Sequence, residues 1–304
     1  MNKKYAILSY LNSRNFGDEI QSIAARNCMP RVDGEIAREN LKTFTSKVKH
    51  ILVMNGWFCR KPESEFPPSP DIIPVYYGFH IARHASDFLT TPECIAHFKK
   101  WQPIGCHDQG TVQFLKNKGI DAFYSKCLTL TFPRRKKEPK NGKVFVVDVP
   151  DSVLPKDIKS NAVIATHKHD HDHFGDGWKK QQAQKLLDTY KNEAKLVITS
   201  RLHCALPCQA MGIPVIYLAK GYHKPEYRTS VYTDIGGTIH RAPLPEIYQC
   251  ILQSRYSRLK KVLQYSNPGD YFPLRKKKPN LIDVSQEAKR MRRELESRLL
   301  GIQP

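Results

Sequence analysis

Strand-like apolar runs alternate with helical stretches in both halves of the chain, and this alternation limits the fold more than any other feature. Strands are predicted at residues 4–10, 50–56, 71–80, 104–108, 121–125, 143–150, 161–167, 195–200 and 213–221. Helices are predicted between them, most clearly over 179–194 and over 111–118, the latter stopping at Gly119. Such repetition is typical of parallel sheets covered by helices. The sequence therefore predicts an α/β fold.

The segment FPRRKKEPKNGK at 132–143 interrupts the alternation, because it is charged, contains Pro and Gly, and has no apolar period. A chain of 304 residues has room for two domains of roughly 100–200 residues each. We therefore predict an N-terminal α/β domain over 1–135, a second α/β domain over 136–254, and a basic helical tail over 255–304.

The chain is strongly basic, with 49 Lys and Arg against 29 Asp and Glu and a formal net charge of +20. Residues 255–304 hold 13 of the basic and five of the acidic residues, and so contribute +8. This balance favours an anionic partner, which is a phosphorylated substrate, an anionic lipid surface or nucleic acid. No nucleic-acid reading motif accompanies the charge, so we do not expect nucleic acid to be the partner.

The stretch SQEAKRMRRELESRLL at 285–300 is predicted to be an amphipathic basic helix capped by Ser285. In one interpretation, its Leu and Met residues pack on the body of the protein and its charges are solvated. In the other, the helix lies on an anionic membrane surface or against a glycolipid.

Eight cysteines are scattered through the sequence without a CxxC pair. This pattern favours reduced, mostly buried thiols in the cytoplasm over a disulfide framework or a zinc site. No apolar run reaches the length of about 18 residues that a membrane span requires, and we interpret the apolar start as a first strand rather than a signal peptide. We expect a cytoplasmic protein, with the tail as a means of peripheral contact at the inner face of the membrane.

Polar side chains follow the predicted strands, at the sheet edge where open α/β folds bind ligands. The first half supplies Asn15, Gly17, Asp18, Asn55, Gly56, Trp57, His80, His107 and Asp108. The second half supplies Thr166, His167, Ser200, Arg201 and His203. Two α/β domains that face each other would place both sets across one cleft.

The motif Ser200-Arg201-Leu202-His203 lies between a buried strand and a probable helix start. Helix N-termini attract anions, Arg offers a planar pair of donors for carboxylate or phosphate, and His exchanges a proton near neutral pH. The alternative is that Ser200 only caps the helix while Arg201 and His203 face solvent or carbonyl groups. Likewise, Gly17 permits close approach of a ligand, and Asp18 either caps a helix or takes part in chemistry.

The loop THKHDHDHFGD at 166–176 alternates His with Asp and raises the question of a metal. Strict alternation over a polar, Gly-containing stretch is typical of a loop rather than of a helix, so histidines four residues apart in it are not expected to form a preorganised pair on one helix face. We therefore predict a polar active-site loop and no metal.

Three segments resemble motifs of the polysaccharide pyruvyl transferase family, in the same order along the chain. They are Asn15-Phe16-Gly17-Asp18, the stretch Gly105–Thr111, and the block from Ser200 to Leu218 that contains Ser-Arg-Leu-His and Gly-Ile-Pro. A short segment, SKCLTLTF at 125–132, is also similar to some members. The resemblance spans about residues 4–221 and leaves the tail uncovered.

The resemblance implies two Rossmann-like domains that face each other across a cleft, as in GT-B glycosyltransferases. It also implies transfer of a pyruvyl group from phosphoenolpyruvate to two hydroxyls of a saccharide, with phosphoenolpyruvate as co-substrate and no other cofactor. The acceptor would be a saccharide or a lipid-linked saccharide. The expected catalytic residues are His203, Arg201 and Asp108. The expected substrate-binding residues are Asn15, Gly17, Asp18, Asn55, Gly56, His107, His167 and Ser200.

One residue departs from the family pattern, because His107 stands where the family has an Arg before Asp108. Either Arg83, Arg134 or a Lys supplies the missing charge, or the donor differs, or activity is lost. The alternatives are therefore a nucleotide-sugar glycosyltransferase on the same scaffold and a non-catalytic protein that binds saccharide or phosphate. If His107 alone replaces the Arg, donor binding should improve as the pH falls through its titration.

Overall fold

The computed structural model describes residues 3–58, 62–150, 154–170, 176–220, 227–242 and 277–302, and these residues form two parallel β-sheets. The first sheet has six strands in the order β2-β1-β3-β4-β5-β6. Its strands are β1 (Lys4–Ser9), β2 (Gly34–Ala37), β3 (His50–Phe58), β4 (Ile72–Ile81), β5 (Ile104–Cys106) and β6 (Ala122–Tyr124). Its helices are α1 (Phe16–Arg26), α2 (Pro62–Glu65), α3 (Pro92–Trp101) and α4 (Gln109–Lys116).

The second sheet has five parallel strands in the order β11-β10-β9-β7-β8. Its strands are β7 (Lys143–Val147), β8 (Val163–Ala165), β9 (Ala194–Thr199), β10 (Val215–Lys220) and β11 (Ile239–Ala242). Its helices are α5 (Lys156–Asn161), α6 (Asp176–Glu193), α7 (Leu202–Ala210) and α8 (Ser230–Asp234), and the chain continues to a C-terminal helix, α9 (Ser285–Leu300).

A single apolar core joins the two sheets. Ile7 and Val53 of the first sheet and Phe145 and Val197 of the second belong to one buried cluster, and Leu206 of α7 lies in it as well. Strands that are covered on both faces need near-continuous apolar sequences, which is why these runs were visible in the sequence. Helix α1 packs against α6, so elements of both halves meet directly.

The predicted pair of parallel-sheet α/β units is confirmed, and each predicted strand is present. The sequence did not reveal the four-residue strands β2 and β11, which are too short to produce a clear period, or helix α3. The predicted domain boundary at 135/136 falls between the end of β6 and the start of β7. The GT-B-like arrangement of the two units stays a prediction.

The bounds of α4 differ from the prediction of a helix over 111–118. The helix begins at Gln109, because the Asp108 side chain caps it by accepting a hydrogen bond from the Thr111 N–H at 2.9 Å. It ends at Lys116, and Gly119, with a φ of +70°, turns the chain after it.

The C-terminal helix α9 packs on the body of the protein, as the first of the two interpretations predicted. Met291, Leu295 and Leu299 are buried on one face. Arg292 donates to the Asn27 carbonyl at 3.2 Å, and Arg298 donates to the Pro103 carbonyl at 3.2 Å. These contacts tie α9 to the first half of the chain.

The predicted cap of this helix is wrong. Ser285 is the first helical residue rather than the cap, and its hydroxyl donates to Asp283 Oδ1 at 2.5 Å while Val284 occupies the cap position. The rest of the predicted tail, residues 255–276, lies outside the described residues.

The six cysteines within the described ranges are free, and all but the half-buried Cys28 are buried. This confirms the predicted reduced thiols for that part of the chain; Cys59 and Cys250 lie outside it. None of the helices in the described ranges combines the length and the apolar character that a membrane span requires.

Truncation of Leu295 tests the packing of α9. We expect Leu295→Ala to lower the free energy of unfolding by about 2–5 kcal/mol, because it leaves a cavity in a buried contact. The matched control is Leu300→Ala, at a position on the same helix that is 54 % exposed, where the change should stay within about 0.5 kcal/mol. Urea unfolding measures both, and equal effects would mean that α9 does not pack as described.

Candidate active site

Loops from the two sheets meet through backbone hydrogen bonds at the start of α1. Asn15 caps α1, its Oδ1 accepting from the Gly17 N–H at 3.1 Å, and it forms an isolated antiparallel bridge with Lys168. The Phe16 N–H donates to the His167 carbonyl at 2.8 Å. The predicted meeting of the N-terminal loop with the loop after β8 is therefore present.

Gly17 lies directly against the Ser-Arg-Leu-His motif. A Cβ added at Gly17 would lie 3.3 Å from His203 Cβ and 3.2 Å from the Asn15 side chain, so any larger residue would push these groups apart. Asp18 does not cap α1; it is buried and accepts from the Ser13 hydroxyl at 2.5 Å. Gly17 thus contacts the second half of the chain, whereas the described hydrogen bond of Asp18 stays within the loop after β1.

Asn55 and Gly56, by contrast, make their described contacts within the first half of the chain. Asn55 Nδ2 donates to the Gln21 carbonyl at 2.8 Å. Gly56 has a φ of +120°, and a Cβ there would lie 2.8 Å from the Tyr10 hydroxyl. Nothing in these contacts links the two residues to the second sheet.

Asp148, which the sequence reasoning missed, joins the loops of the second sheet. Its Oδ2 accepts from Arg201 Nε at 2.7 Å and from the His167 N–H at 3.0 Å, and its Oδ1 accepts from the Thr166 hydroxyl at 2.7 Å. Burial would raise the pKa of Asp148, but Thr166, His167 and Arg201 outweigh it and lower the pKa from its usual value. Asp148 directly follows β7, at the same sheet edge as Ser200, so the rule used for the other strands would have found it.

The Ser-Arg-Leu-His motif does begin a helix, but its residues are arranged differently from the capping alternative. The Ser200 hydroxyl donates to the Asp148 carbonyl at 2.5 Å, and Arg201 occupies the cap position of α7 without a side-chain cap bond. Arg201 Nη2 is buried and makes no hydrogen bond within the described residues. One edge of the guanidinium is therefore anchored and the other still has a donor to offer.

Helix α7 is irregular at His203, where φ is −81° and ψ is 19°. Pro207, four residues later, has no N–H to donate to the His203 carbonyl, which accounts for the irregularity. The His203 ring faces that of His107, with ring centroids 6.2 Å apart.

His107, Cys127 and His203 form a buried cluster drawn from both halves of the chain. Their donor atoms lie within 4.8 Å of one another. His107 follows β5, Cys127 precedes a 3-10 helix over Leu128–Thr131, and His203 belongs to α7. The sequence did not single out Cys127, which belongs to the segment SKCLTLTF that is weakly similar to some family members.

A second group shares His107 and is organised by Asp108. His80 Nδ1 lies 2.6 Å from Asp108 Oδ2, and His107 Nδ1 lies 3.6 Å from the same oxygen. Asp108 is fully buried and also accepts the capping bond from Thr111. Burial would raise the pKa of Asp108, but His107 and His80 hold it well below its usual range.

The thiol and the imidazoles of the buried cluster affect each other's charge. Burial opposes the charged forms of both groups, yet Cys127 and Asp108 raise the pKa of His107 to about 9, and His107 and His203 lower the pKa of Cys127 well below its usual value. The pKa of His203 is lowered, mainly by burial. Positive charge on His107 and negative charge on Cys127 therefore stabilise each other.

Arg228 supplies a cation to this region that the sequence reasoning did not single out. Burial lowers the pKa values of His80 and His203 most, and the charges of His107 and Arg228 lower them further. The short 3-10 helix that carries Arg228, Tyr227–Thr229, packs against α4. Arg134 instead lies against Gly212, at the other end of α7 from His203. Arg228 follows no predicted strand and belongs to no motif, which is why it was missed.

His167 and His169 hold the 166–176 loop by packing. His167 is fully buried, with Nε2 3.1 Å from the Tyr190 hydroxyl, and the His169 ring lies 4.8 Å from that of Phe16. Residues 171–175 of this loop lie outside the described residues. The potential metal-binding groups of the described chain lie elsewhere, at His107 and its neighbours.

Replacement of Asp148 tests the link between the loops. We expect Asp148→Asn to reduce the free energy of unfolding by about 1–3 kcal/mol at pH 7, because the charge-assisted bond to Arg201 is lost. Since the folded pKa is lowered, the difference from wild type should be complete above about pH 4 and shrink as the pH falls further. Chemical unfolding across pH measures it, with the exposed Asp188→Asn as control; a pH-independent difference would contradict the ion pair.

Solved structures with a related shape are remote in sequence. A functionally uncharacterised protein from Klebsiella pneumoniae has 16% identity and a TM-score of 0.47, covering 75% of this chain and 88% of its own. MnaA of S. aureus, in complex with UDP, has 11% identity and a TM-score of 0.45, covering 99% and 98%. The wall teichoic acid polymerase TagF has 11% identity and a TM-score of 0.36, covering 97% and 90%. At these values, the three structures carry no inference about this chain.

Comparison at the level of sequence families is more informative. A search of curated proteins finds no significant match. The model of the polysaccharide pyruvyl transferase family, however, matches residues 15–221, a range that runs from the cap of α1 through β10 and includes Asp108, Cys127, Asp148 and the Ser-Arg-Leu-His motif. The chain therefore belongs to the polysaccharide pyruvyl transferase family.

Proposed function

We propose that the protein transfers a pyruvyl group from phosphoenolpyruvate to two hydroxyls of a saccharide, forming a ketal and releasing phosphate. The observation that carries this proposal is the state of Arg201. Its Nε is anchored on Asp148 at 2.7 Å, while its buried Nη2 makes no hydrogen bond within the described residues. An anionic oxygen is the natural acceptor for such a donor.

Further groups near the start of α7 suit a donor that carries a carboxylate and a phosphate. His203 Nε2 is also buried without a hydrogen-bond partner in the described part of the chain. The N-terminus of α7 adds its positive dipole end. We assign Arg228 the charge that the family Arg would have supplied at the position of His107.

The proposed reaction needs one proton donor and one proton acceptor. Protonation of the donor methylene leaves a cationic carbon that a first sugar hydroxyl attacks, losing its proton. Departure of phosphate and attack by a second hydroxyl, whose proton leaves with the phosphate, then close the ketal. We assign the acid to His203, since a bound phosphate dianion would offset the lowering of its pKa by burial.

The role of base fits Asp108 poorly. This carboxylate is fully buried, caps α4 and has a pKa held well below its usual range, so it is a weak proton acceptor. We propose instead that Asp108 orients His80 and His107. We propose Asp18 as the base; it is buried as well, but it accepts from the Ser13 hydroxyl rather than from two imidazole rings.

The acceptor is proposed to be a saccharide, free or linked to a lipid, at a cytoplasmic membrane surface. Helix α9 contributes less to such contact than its composition predicts. Arg290 pairs with Glu287 at 2.7 Å, and Arg292 and Arg298 donate to backbone carbonyls of the body. The exposed cations left for an anionic surface in the described part of the tail are Lys278, Lys289 and Arg293.

Donor binding is tested by thermal and chemical stability. Phosphoenolpyruvate at a hundredfold excess over its Kd should stabilise the protein by about 2.7 kcal/mol, and nucleotide sugars should not. Arg201→Ala and Arg228→Ala should each weaken binding by about ten- to 160-fold, because a charge-assisted bond is lost. Arg134→Ala, at the far end of α7, is the matched control.

Two results would contradict the proposed donor or the proposed donor site. Stabilisation by UDP- or GDP-sugars without any by phosphoenolpyruvate would favour a glycosyltransferase. Undiminished phosphoenolpyruvate binding by Arg201→Ala would show that the donor site lies elsewhere.

Membrane contact is tested with vesicles. Removing Lys278, Lys289 and Arg293 together should weaken binding to phosphatidylserine vesicles, at about 1 kcal/mol or about fivefold for each cation near the surface. Binding should also fall with added salt. Co-sedimentation measures the binding. If the triple variant binds the vesicles as tightly as wild type, these three cations do not contact the membrane.

A further inference from the structure

We propose that His107, Cys127 and His203 bind a divalent transition-metal ion of the zinc type, with a fourth coordination position left open beside the donor site. Two imidazoles and one thiolate are a ligand set that zinc accepts, and three protein ligands leave one position for water or substrate. The expectation that no metal binds was drawn from the 166–176 loop. The present cluster instead comes from three distant segments that only the fold brings together.

The spacing of the three side chains fits this assignment. Their donor atoms all lie within 4.8 Å of one another, compared with roughly 3.5 Å between ligands on a tetrahedral zinc ion. Binding would therefore require the three side chains to move closer together. The three residues are only 1 %, 2 % and 7 % exposed for His107, Cys127 and His203.

Unsatisfied nitrogen atoms give an independent reason to place a ligand here. Three buried nitrogen atoms make no hydrogen bond to another described residue. They are Nδ1 and Nε2 of His107 and Nε2 of His203. A buried polar atom without a partner is unfavourable, because it has lost its hydrogen bonds to water and gained none in return. Coordination to a metal would give a partner to one nitrogen of each ring. Because a coordinated imidazole is a poor proton donor, the acid role proposed for His203 would then pass to a water at the open position of the ion.

The surroundings would hold the ligands in place. Asp108 Oδ2 lies 3.6 Å from His107 Nδ1, which leaves Nε2 for the metal in the carboxylate–histidine–metal arrangement that is common around such sites. Asp108 is itself fixed by His80 at 2.6 Å. The loop that carries Cys127 is held by an ion pair of 2.9 Å between Lys126 and Glu287 of α9.

The charge of a loaded site matches what the family pattern lacks. On binding, the proton held between the Cys127 thiol and the His107 imidazole is released to solvent and the thiolate forms the metal–sulfur bond, so a divalent ion and one thiolate together carry +1. That is the charge of the guanidinium that His107 replaces. This consequence rests on the proposed function, whereas the metal site itself does not.

Cobalt substitution tests the site without any assay of activity. The purified full-length protein, stripped with a chelator, should bind one equivalent of Co²⁺ with tetrahedral d–d bands and a thiolate-to-cobalt charge-transfer band. Cys127→Ser should lose the charge-transfer band. His203→Gln should bind at least about a hundredfold more weakly, since changes in the second shell alone cost about 10–100-fold.

The matched control is Cys94→Ser, which alters a buried cysteine in a separate core of the first sheet and should leave the cobalt spectrum unchanged. Circular dichroism verifies that each variant is folded. Absence of the sulfur band in wild type, or an identical spectrum in folded Cys127→Ser, would overturn the proposal. The wild-type spectrum decides the matter even if a variant fails to fold.

The same samples separate this proposal from the proposed function. A normal cobalt spectrum with no stabilisation by phosphoenolpyruvate would leave the metal site standing and count against the donor. Stabilisation by phosphoenolpyruvate without a sulfur–cobalt band would support the proposed donor and overturn the metal site.

Discussion

The carboxylate of Asp148 is the constraint on which the proposed donor site depends. It lies at the end of β7 and accepts hydrogen bonds from the loop after β8 and from Arg201 at the start of α7. Since the loop after β8 is bonded in turn to Phe16 at the start of α1, this one residue connects Arg201 to the first half of the chain. Arg201 is thereby fixed in orientation before any ligand arrives, which reduces the entropy that donor binding must overcome.

The second organising feature is the dense cluster around His107. An Arg at this position would bring a permanent charge. The charge of the His107 imidazole depends instead on Cys127 and Asp108, and Cys127 in turn interacts with His203. Arg228 and a metal ion are the two sources of positive charge that we propose for this region. Helix α9 supports this region from outside, because Glu287 holds Lys126 next to Cys127. The basic C-terminal helix is therefore part of the architecture that positions the cluster.

The sequence was informative wherever the chemistry is local. Buried strands produced long apolar runs, and Asn15, Gly17, Arg201 and His203 could be placed at the strand ends from their position alone. Contacts between distant segments could not be predicted. Cys127 has no neighbour in sequence that marks it as a ligand, and Arg228 becomes relevant only when the chain beyond β10 folds back toward α4. Asn55 looked like a cleft residue by the same rule, yet its side chain bonds to Gln21 within the first half.

The central proposal is that the protein transfers a pyruvyl group from phosphoenolpyruvate at a site built around Arg201. The most direct measurement is the release of inorganic phosphate from phosphoenolpyruvate in the presence of a panel of saccharide acceptors, with mass analysis of the acceptor. The account predicts phosphate release that requires an acceptor, a pyruvyl ketal on that acceptor, and loss of both in Arg201→Ala. Transfer of a sugar from a nucleotide donor, or unchanged phosphate release by Arg201→Ala, would contradict it.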